Sequence, residues 1–283
     1  MKDITPHIPV VNLKENNIII NNDIFLDINL SYSEMKKLMV HDIWDVICFK
    51  ISVIIPSHGR HVLRMDELFN NLSEMVLPVH EVIVSFSLQA GQSLEELAKK
   101  VTEYRNNYKH KINLKCILNP ENMVTSANRN IAASQATGDI LLFLDADDLY
   151  HPQLTQIVQH VWKKCDPVDL HWFNKKTTLD EVKNVKYNTE NVKIVKMKDD
   201  YTQYFEKLEF FPWEWEIKNS ITHGHHAMRR DVWEDHPYIQ MIPMGEDAVH
   251  MRELLSIYPE RSYFVPLYLS LYRQNESAGY TSV

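Results

Sequence analysis

From residue 50 onward, apolar and polar positions alternate in a regular beat. Ile51-Ser52-Val53-Ile54-Ile55 predicts a strand that stops at Pro56, which cannot donate to a ladder. Met65, Leu68, Phe69 and Leu72 then recur at helical spacing. Glu81 to Ser85 predicts a second strand. Ser93 and Glu96 form a capping box for a helix with Leu94, Leu97, Val101 and Tyr104 on one face. Ile112 to Leu118 predicts a third strand. The helix expected over Met123 to Ala136 carries Ala127, Ala132, Ala133 and Ala136, small enough to lie close on a sheet, and ends before Gly138. Ile140 to Leu144 is an unbroken apolar run, the mark of a strand buried on both faces. Strand starts near 51, 81, 112 and 139 follow the ~30-residue period of β-α-β units, so the sheet is expected to be largely parallel. Ligands bind such sheets beyond the carboxyl ends of the strands, where Pro56-Ser57, Ser85-Phe86 and Asp145 stand.

The flanking regions are less regular. Residues 1–48 read as an N-terminal extension. In it Asn21-Asn22-Asp23 predicts a hairpin turn between Ile18-Ile19-Ile20 and Ile24-Phe25-Leu26, and a short helix opens at Ser33. Leu154, Ile157, Val158 and Val161 mark a helix, and Val168 to Phe173 a strand. Lys175 to Lys198 reads as an exposed polar hairpin. Tyr201, Tyr204, Phe205 and Leu208 predict a helix, as does the stretch from Asp247 to Ile257. Leu267, Leu269 and Leu271 alternate with Tyr268, Ser270 and Tyr272 in a half-buried strand. With no internal repeat or low-complexity linker, 49–283 reads as one domain.

Composition narrows the function classes. The 283 residues suffice for a sizeable core. A net charge of −8, from 30 basic and 38 acidic residues, argues against a nucleic-acid partner, though not against a local basic pocket for a diphosphate. Met1 to Val10 is polar and broken by Pro6 and Pro9, unlike a secretory signal. No apolar run reaches the ~20 residues of a membrane span. Cys48, Cys116 and Cys165 are far apart, which suits a reducing compartment. A cytoplasmic protein, soluble or peripherally membrane-associated, is the expectation.

The candidate chemistry begins where Ile140 to Leu144 runs into Asp145-Ala146-Asp147-Asp148. Three carboxylates at a strand tip repel one another, and a divalent cation with hard oxygen ligands resolves that repulsion. Mg2+ or Mn2+ there most often carries a substrate phosphate. Equally, Asp147 or Asp148 caps the helix after Pro152 or forms a turn. The run alone leaves both readings open.

Ser52 to Arg60 resembles the first strand and loop of family-2 glycosyltransferases of the GT-A fold. Ser126-Ala127-Asn128-Arg129-Asn130, Ala136 to Asp139 and Leu144 to Asp148 resemble that family's central signature. Glu246-Asp247 resembles its acceptor-side acidic pair, and Tyr272-Arg273 with Ser277 its closing segment. Order and spacing agree over about residues 50–280. The resemblance implies a Rossmann-like α/β fold with a mainly parallel central sheet flanked by helices. It also implies transfer of a sugar from a nucleotide-diphosphate donor such as a UDP-sugar to a hydroxyl of a glycan or glycoconjugate, with inversion and Mn2+ or Mg2+. The nucleotide would then occupy 49–150 and the acceptor 151–283.

On that footing Asp147 ranks first as metal ligand and Asp145 second, with Asp145 also suited to a ribose hydroxyl. Asp247, with Glu246 as runner-up, is the expected base; both sit at a helix start, where the dipole favours an ionised carboxylate. The same placement serves any acid that merely complements a dipole. Arg129 is expected to reach the base or diphosphate, or else to form a structural salt bridge with Asp139 or Asp145. Pro56, Ser57 and Ser85 are expected around the nucleoside, and Arg60 and Arg273 near phosphate. Trp213 and Trp215 could stack on acceptor sugar rings. His223 and His225 share a strand face, and His225 or His226 is expected to contact acceptor or diphosphate; a histidine joining the metal, His250 included, is the lesser expectation. Where the family usually has an acid after the second strand, this chain has Ser85-Phe86-Ser87-Leu88, which loosens the inference to uracil. Two other classes compete. A catalytically silent nucleotide-sugar or glycan-binding module fits the same pocket. A sugar-phosphate nucleotidyltransferase would need a glycine-rich loop after the first strand, where only Gly59 stands.

Overall fold

The computed structural model describes residues 12–13, 16–17, 49–58, 61, 65–88, 91–175, 184–198, 220–240 and 245–271. Two compact units divide the chain, Met1–Cys48 and Phe49–Val283. In the first, β1 (Asn12–Leu13) pairs antiparallel with β2 (Asn16–Asn17). The hairpin expected around 21–23 and the helix from Ser33 lie outside the described residues, as does the helix expected from Tyr201.

The second unit is built on a nine-stranded sheet. Its first half comprises β3 (Ile51–His58), β4 (Glu81–Ser87), β5 (Leu114–Asn119) and β6 (Ile140–Phe143), all parallel, in the order β5-β4-β3-β6. Between them run α1 (Met65–Ser73), α2 (Leu94–Tyr108) and α3 (Thr125–Ala133). Pro56 does not end the first strand. It pairs with Ser85 inside β3, where the ladder toward β6 has already ended at Ile54 and Phe143. Ser93 caps α2 by accepting from the Glu96 N–H, as the capping box predicts. Leu94, however, is 43% exposed, and the buried face of α2 is Leu97, Val101, Tyr104 and Tyr108.

Beyond β6 the chain adds β7 (Leu149–Tyr150), α4 (Leu154–Cys165), β8 (Asp169–Lys175), β9 (Val195–Lys196), β10 (Ser220–Arg229), α5 (Arg230–Asp235), α6 (Glu246–Ile257) and β11 (Ser262–Leu271). A left-handed Asp166 closes α4, and Pro167 bars its continuation. β10 enters antiparallel between β6 and β8; β11 runs parallel to β8, and β7 and β9 border β11 antiparallel. The stretch around Lys198 is therefore not an exposed hairpin: β9 joins the sheet and Met197 is fully buried beside it.

Alternate residues of β3 feed two cores. Ile51, Val53 and Ile55 meet α1, α2 and α4 on one face; Ile54 meets α3, α5 and Leu254 of α6 on the other. At the amino-terminal edge, Glu81 ties the first strands together. Its Oε1 accepts from the Ser52 hydroxyl and from the Thr137 N–H and hydroxyl, and Lys115 pairs with Oε2. Gly138 passes so close that a Cβ there would lie 2.6 Å from Lys50 O and 2.6 Å from Ser52 Oγ. Burial opposes ionisation of Glu81, but Lys115, Ser52 and Thr137 outweigh it and push the carboxyl down to about 2. A lowered carboxylate stabilises the fold fully above the ordinary glutamate value and loses that contribution as pH falls through its folded value. Glu81→Gln should therefore flatten the loss of stability between about pH 4.5 and pH 2, measured by urea unfolding at stepped pH. An unchanged acid limb would refute this.

Candidate active site

β6 ends at Phe143, and the three acids follow in a turn closed by Asp148 N donating to Asp145 O at 3.5 Å. The position before α4 is Gln153, with no side-chain cap, so neither Asp147 nor Asp148 caps that helix. Tyr150 pins the turn from β7. Its hydroxyl accepts from Asp145 N at 2.7 Å and donates to Asp145 O at 2.9 Å. His225, fully buried on β10, reaches across with Nε2 at 3.1 Å from Asp145 Oδ2 and 3.3 Å from Asp148 Oδ2. The Asp147 side chain is 31% exposed, with Oδ2 4.0 Å from His61 Nε2. Burial disfavours charge on Asp145, yet Arg129 and His225 hold its carboxyl well below the usual range. Burial likewise works against charge on His225, but Asp145 and Asp148 raise its pKa above the ordinary imidazole value.

Arg129 connects this turn to the second acidic motif. It projects from α3 and is 2% exposed. Nη2 donates to Asp145 Oδ1 at 2.8 Å and Nη1 to Glu246 Oε1 at 2.9 Å. Its guanidinium lies 5.2 Å from the centre of the Tyr238 ring. Of its two expected structural partners, Asp145 is found; Asp139 instead accepts from Lys50 N. Glu246 and Asp247 open α6 behind Gly245, whose φ of +76° suits glycine. Burial raises the Glu246 carboxyl above the ordinary value despite Arg129. Asp247 is half-buried and its Oδ1 accepts from Ala248 N at 2.8 Å.

The strand ends converge as expected, but through residues that the pattern did not single out. Asn128, on the same helix as Arg129, donates to Ser57 O at 3.0 Å and accepts from the Ser85 hydroxyl at 2.6 Å. Asn119 at the end of β5 donates to both Ser85 Oγ and Asn128 Oδ1. Pro56, Ser57 and Ser85 are therefore buried under this lattice. The signal available in sequence was a run of polar residues, Ser126, Asn128 and Arg129, inside a helix otherwise lined with alanine.

His226 faces the other side of the sheet from His225, as consecutive strand residues must. Both its nitrogens are engaged, Nδ1 with Asp169 and Nε2 with the Tyr238 hydroxyl, each at 2.7 Å. It is 1% exposed and is tied to Arg129 through Tyr238, whose ring lies 5.2 Å from the guanidinium. His250 is buried too, donating to His236 O, and burial pushes it down to about 3. Arg60, Trp213, Trp215, Arg273 and the His223 side chain lie outside the described residues.

Among the described residues two groups offer donor atoms within 4.8 Å of one another: Asp145, Asp148 and His225 at the turn, and Asp169, His171 and His226 behind the sheet. In the second, both histidines already hold Asp169 at 2.7 Å. The turn suits a divalent cation better, since Asp145 is held ionised there and the Asp145 and Asp147 side chains are 29% and 31% exposed. No helix of the described residues is long and apolar enough to cross a membrane.

Residues 52–236 match the family model described as Glycosyl transferase family 2. An "Uncharacterized glycosyltransferase" of Haemophilus influenzae is 27% identical over 111 residues, 39% of this chain and 34% of that one. S. aureus TarS 1-349 in complex with UDP-GlcNAc superposes with a TM-score of 0.56 at 19% identity, over 82% of this chain and 62% of that one. The mannosyltransferase PcManGT from Pyrobaculum calidifontis, in complex with GDP-Man and Mn2+, gives 0.51 at 18%, over 79% and 56%. The chain thus spans less than two thirds of each of these relatives, and at such identities the structural likeness speaks for the fold.

Proposed function

The chain belongs to glycosyl transferase family 2, and from that premise we propose that it transfers a sugar from a UDP-sugar to a hydroxyl of a glycan or glycoconjugate, with inversion. One observation carries the proposal: a single buried arginine joins Asp145 of the acidic turn after β6 to Glu246 at the head of α6, which lies 117 residues from the arginine in sequence. Two sequence motifs with complementary chemistry thereby share one site at the carboxyl ends of the parallel strands.

In this reading the donor diphosphate lies over the turn. Asp147, then Asp145, would hold Mn2+ or Mg2+, and a cation so held supplies Lewis-acid neutralisation of the diphosphate. The acceptor hydroxyl forms its bond to the anomeric carbon as the carbon–oxygen bond to the diphosphate breaks, the electron pair leaving with the diphosphate. The hydroxyl proton passes to Asp247. Glu246 is committed to Arg129, whereas Asp247 spends only Oδ1 on its own helix turn. Asp145 stays ionised through Arg129 and His225 and is ready to accept a ribose hydroxyl.

A panel of UDP- and GDP-sugars, assayed for hydrolysis and transfer with and without Mn2+, tests this. EDTA should abolish turnover, and Asp147→Ala should lower it by about a hundredfold or more. Full turnover by Asp147→Ala in the presence of Mn2+ would sink the mechanism. Binding of UDP without turnover would point to a silent binding module.

A further inference from the structure

Arg129 carries one positive charge and serves two carboxylates that belong to different substrates in the reading above. Its Nη2 is on Asp145 and its Nη1 on Glu246, while Nε is buried without a hydrogen-bond partner. A buried donor left unmade is costly, and an arriving ligand oxygen can satisfy it. Asp145 has a second partner in His225, whose Nε2 lies 3.1 Å from its Oδ2, so it keeps a contact if the guanidinium turns. The Tyr238 ring beneath offers a flat, attractive surface for such a turn; His226 holds its hydroxyl and Asn130 its backbone.

Resting on that donor-site reading, we propose that Arg129 is a positioning residue that couples the donor site to the acceptor acid. A nucleoside diphosphate at the turn draws the guanidinium toward itself and away from Glu246, so that filling the donor side rearranges the head of α6. Coupling of this kind is reciprocal: if the donor weakens the Arg129–Glu246 contact, loss of that contact strengthens donor binding.

The test is UDP affinity by calorimetry in Mg2+, for the unmodified protein, Glu246→Gln and Asp247→Asn. Glu246→Gln frees Arg129 from a competing anion and should bind UDP about fivefold more tightly or better. Asp247→Asn removes a charge that acts on Arg129 only through space, without a hydrogen bond, and should tighten binding clearly less than Glu246→Gln does. A purely structural role for Glu246 would weaken UDP binding instead. In the unmodified protein, saturating UDP should alter amide hydrogen exchange over the first turn of α6, a readout that needs no variant to fold. Unchanged or weaker binding by Glu246→Gln, an equal effect from Asp247→Asn, or an α6 indifferent to UDP each overturns the coupling alone. If the unmodified protein binds no nucleoside diphosphate, the donor reading itself falls and takes the coupling with it.

Discussion

Arg129→Met is expected to lower folding stability by about 3 kcal/mol, because it strands two acids in a poorly solvated site. The side chain removed is 3% exposed and its partners are Asp145 and Glu246, whose side chains are 29% and 10% exposed. The estimate sits at the low end for a broken buried pair because Asp145 retains His225 and some solvent. Glu246 bears most of the loss. Burial already raises its carboxyl, and without Arg129 it would rise further. The deficit should therefore be smaller at pH 5, where Glu246 can take up a proton, than at pH 8. Urea unfolding at both values measures this, and Arg129→Met combined with Glu246→Gln should recover part of the deficit. A melt indistinguishable from the unmodified protein at pH 8 would show that the link contributes nothing.

Asp247→Asn is expected to leave stability within about 0.5 kcal/mol and to lower transfer by about 10²–10⁴-fold. The amide keeps the short contact to Ala248 N, since its oxygen accepts as the carboxylate does, but it cannot take up a proton at neutral pH. The loss should fall on kcat with little change in donor KM, as expected for a group acting on the acceptor proton in the transition state. Retention of transfer by Asp247→Asn, with loss in Glu246→Gln, would move the base to the neighbouring position.

The fold was most legible where aliphatic residues line buried faces. β3, β4 and β6 read directly from Ile, Val and Leu, and α3 from its alanines, because burial dictated both composition and period. β10 was harder, since its buried positions include His225 and His226, which no hydrophobic scale counts as core. Pro56 misled because a proline in a strand depends on whether a neighbour still needs its N–H, a fact of pairing rather than of composition. The acids of the site stood out because three carboxylates beside an apolar run demand explanation. Their partners did not. Tyr150 acts through backbone groups of Asp145, and Asn128 through the carbonyl of Ser57, 71 positions away. Arg129 allowed either a ligand contact or a salt bridge, and only the juxtaposition with Glu246 showed one guanidinium serving two motifs.

β10 joins β6 from far along the chain, and that separation bears on how the molecule folds. The four parallel strands can associate from near-neighbour units of the chain, but the acidic turn at their edge gains His225 and Glu246 only when distant segments dock. Such non-local closure is slow relative to the local β-α-β steps. An early intermediate would hold an assembled half-sheet with an exposed β6 margin and mutually repelling acids. Acids at the tip of that margin would discourage a second molecule from pairing there until β10 docks.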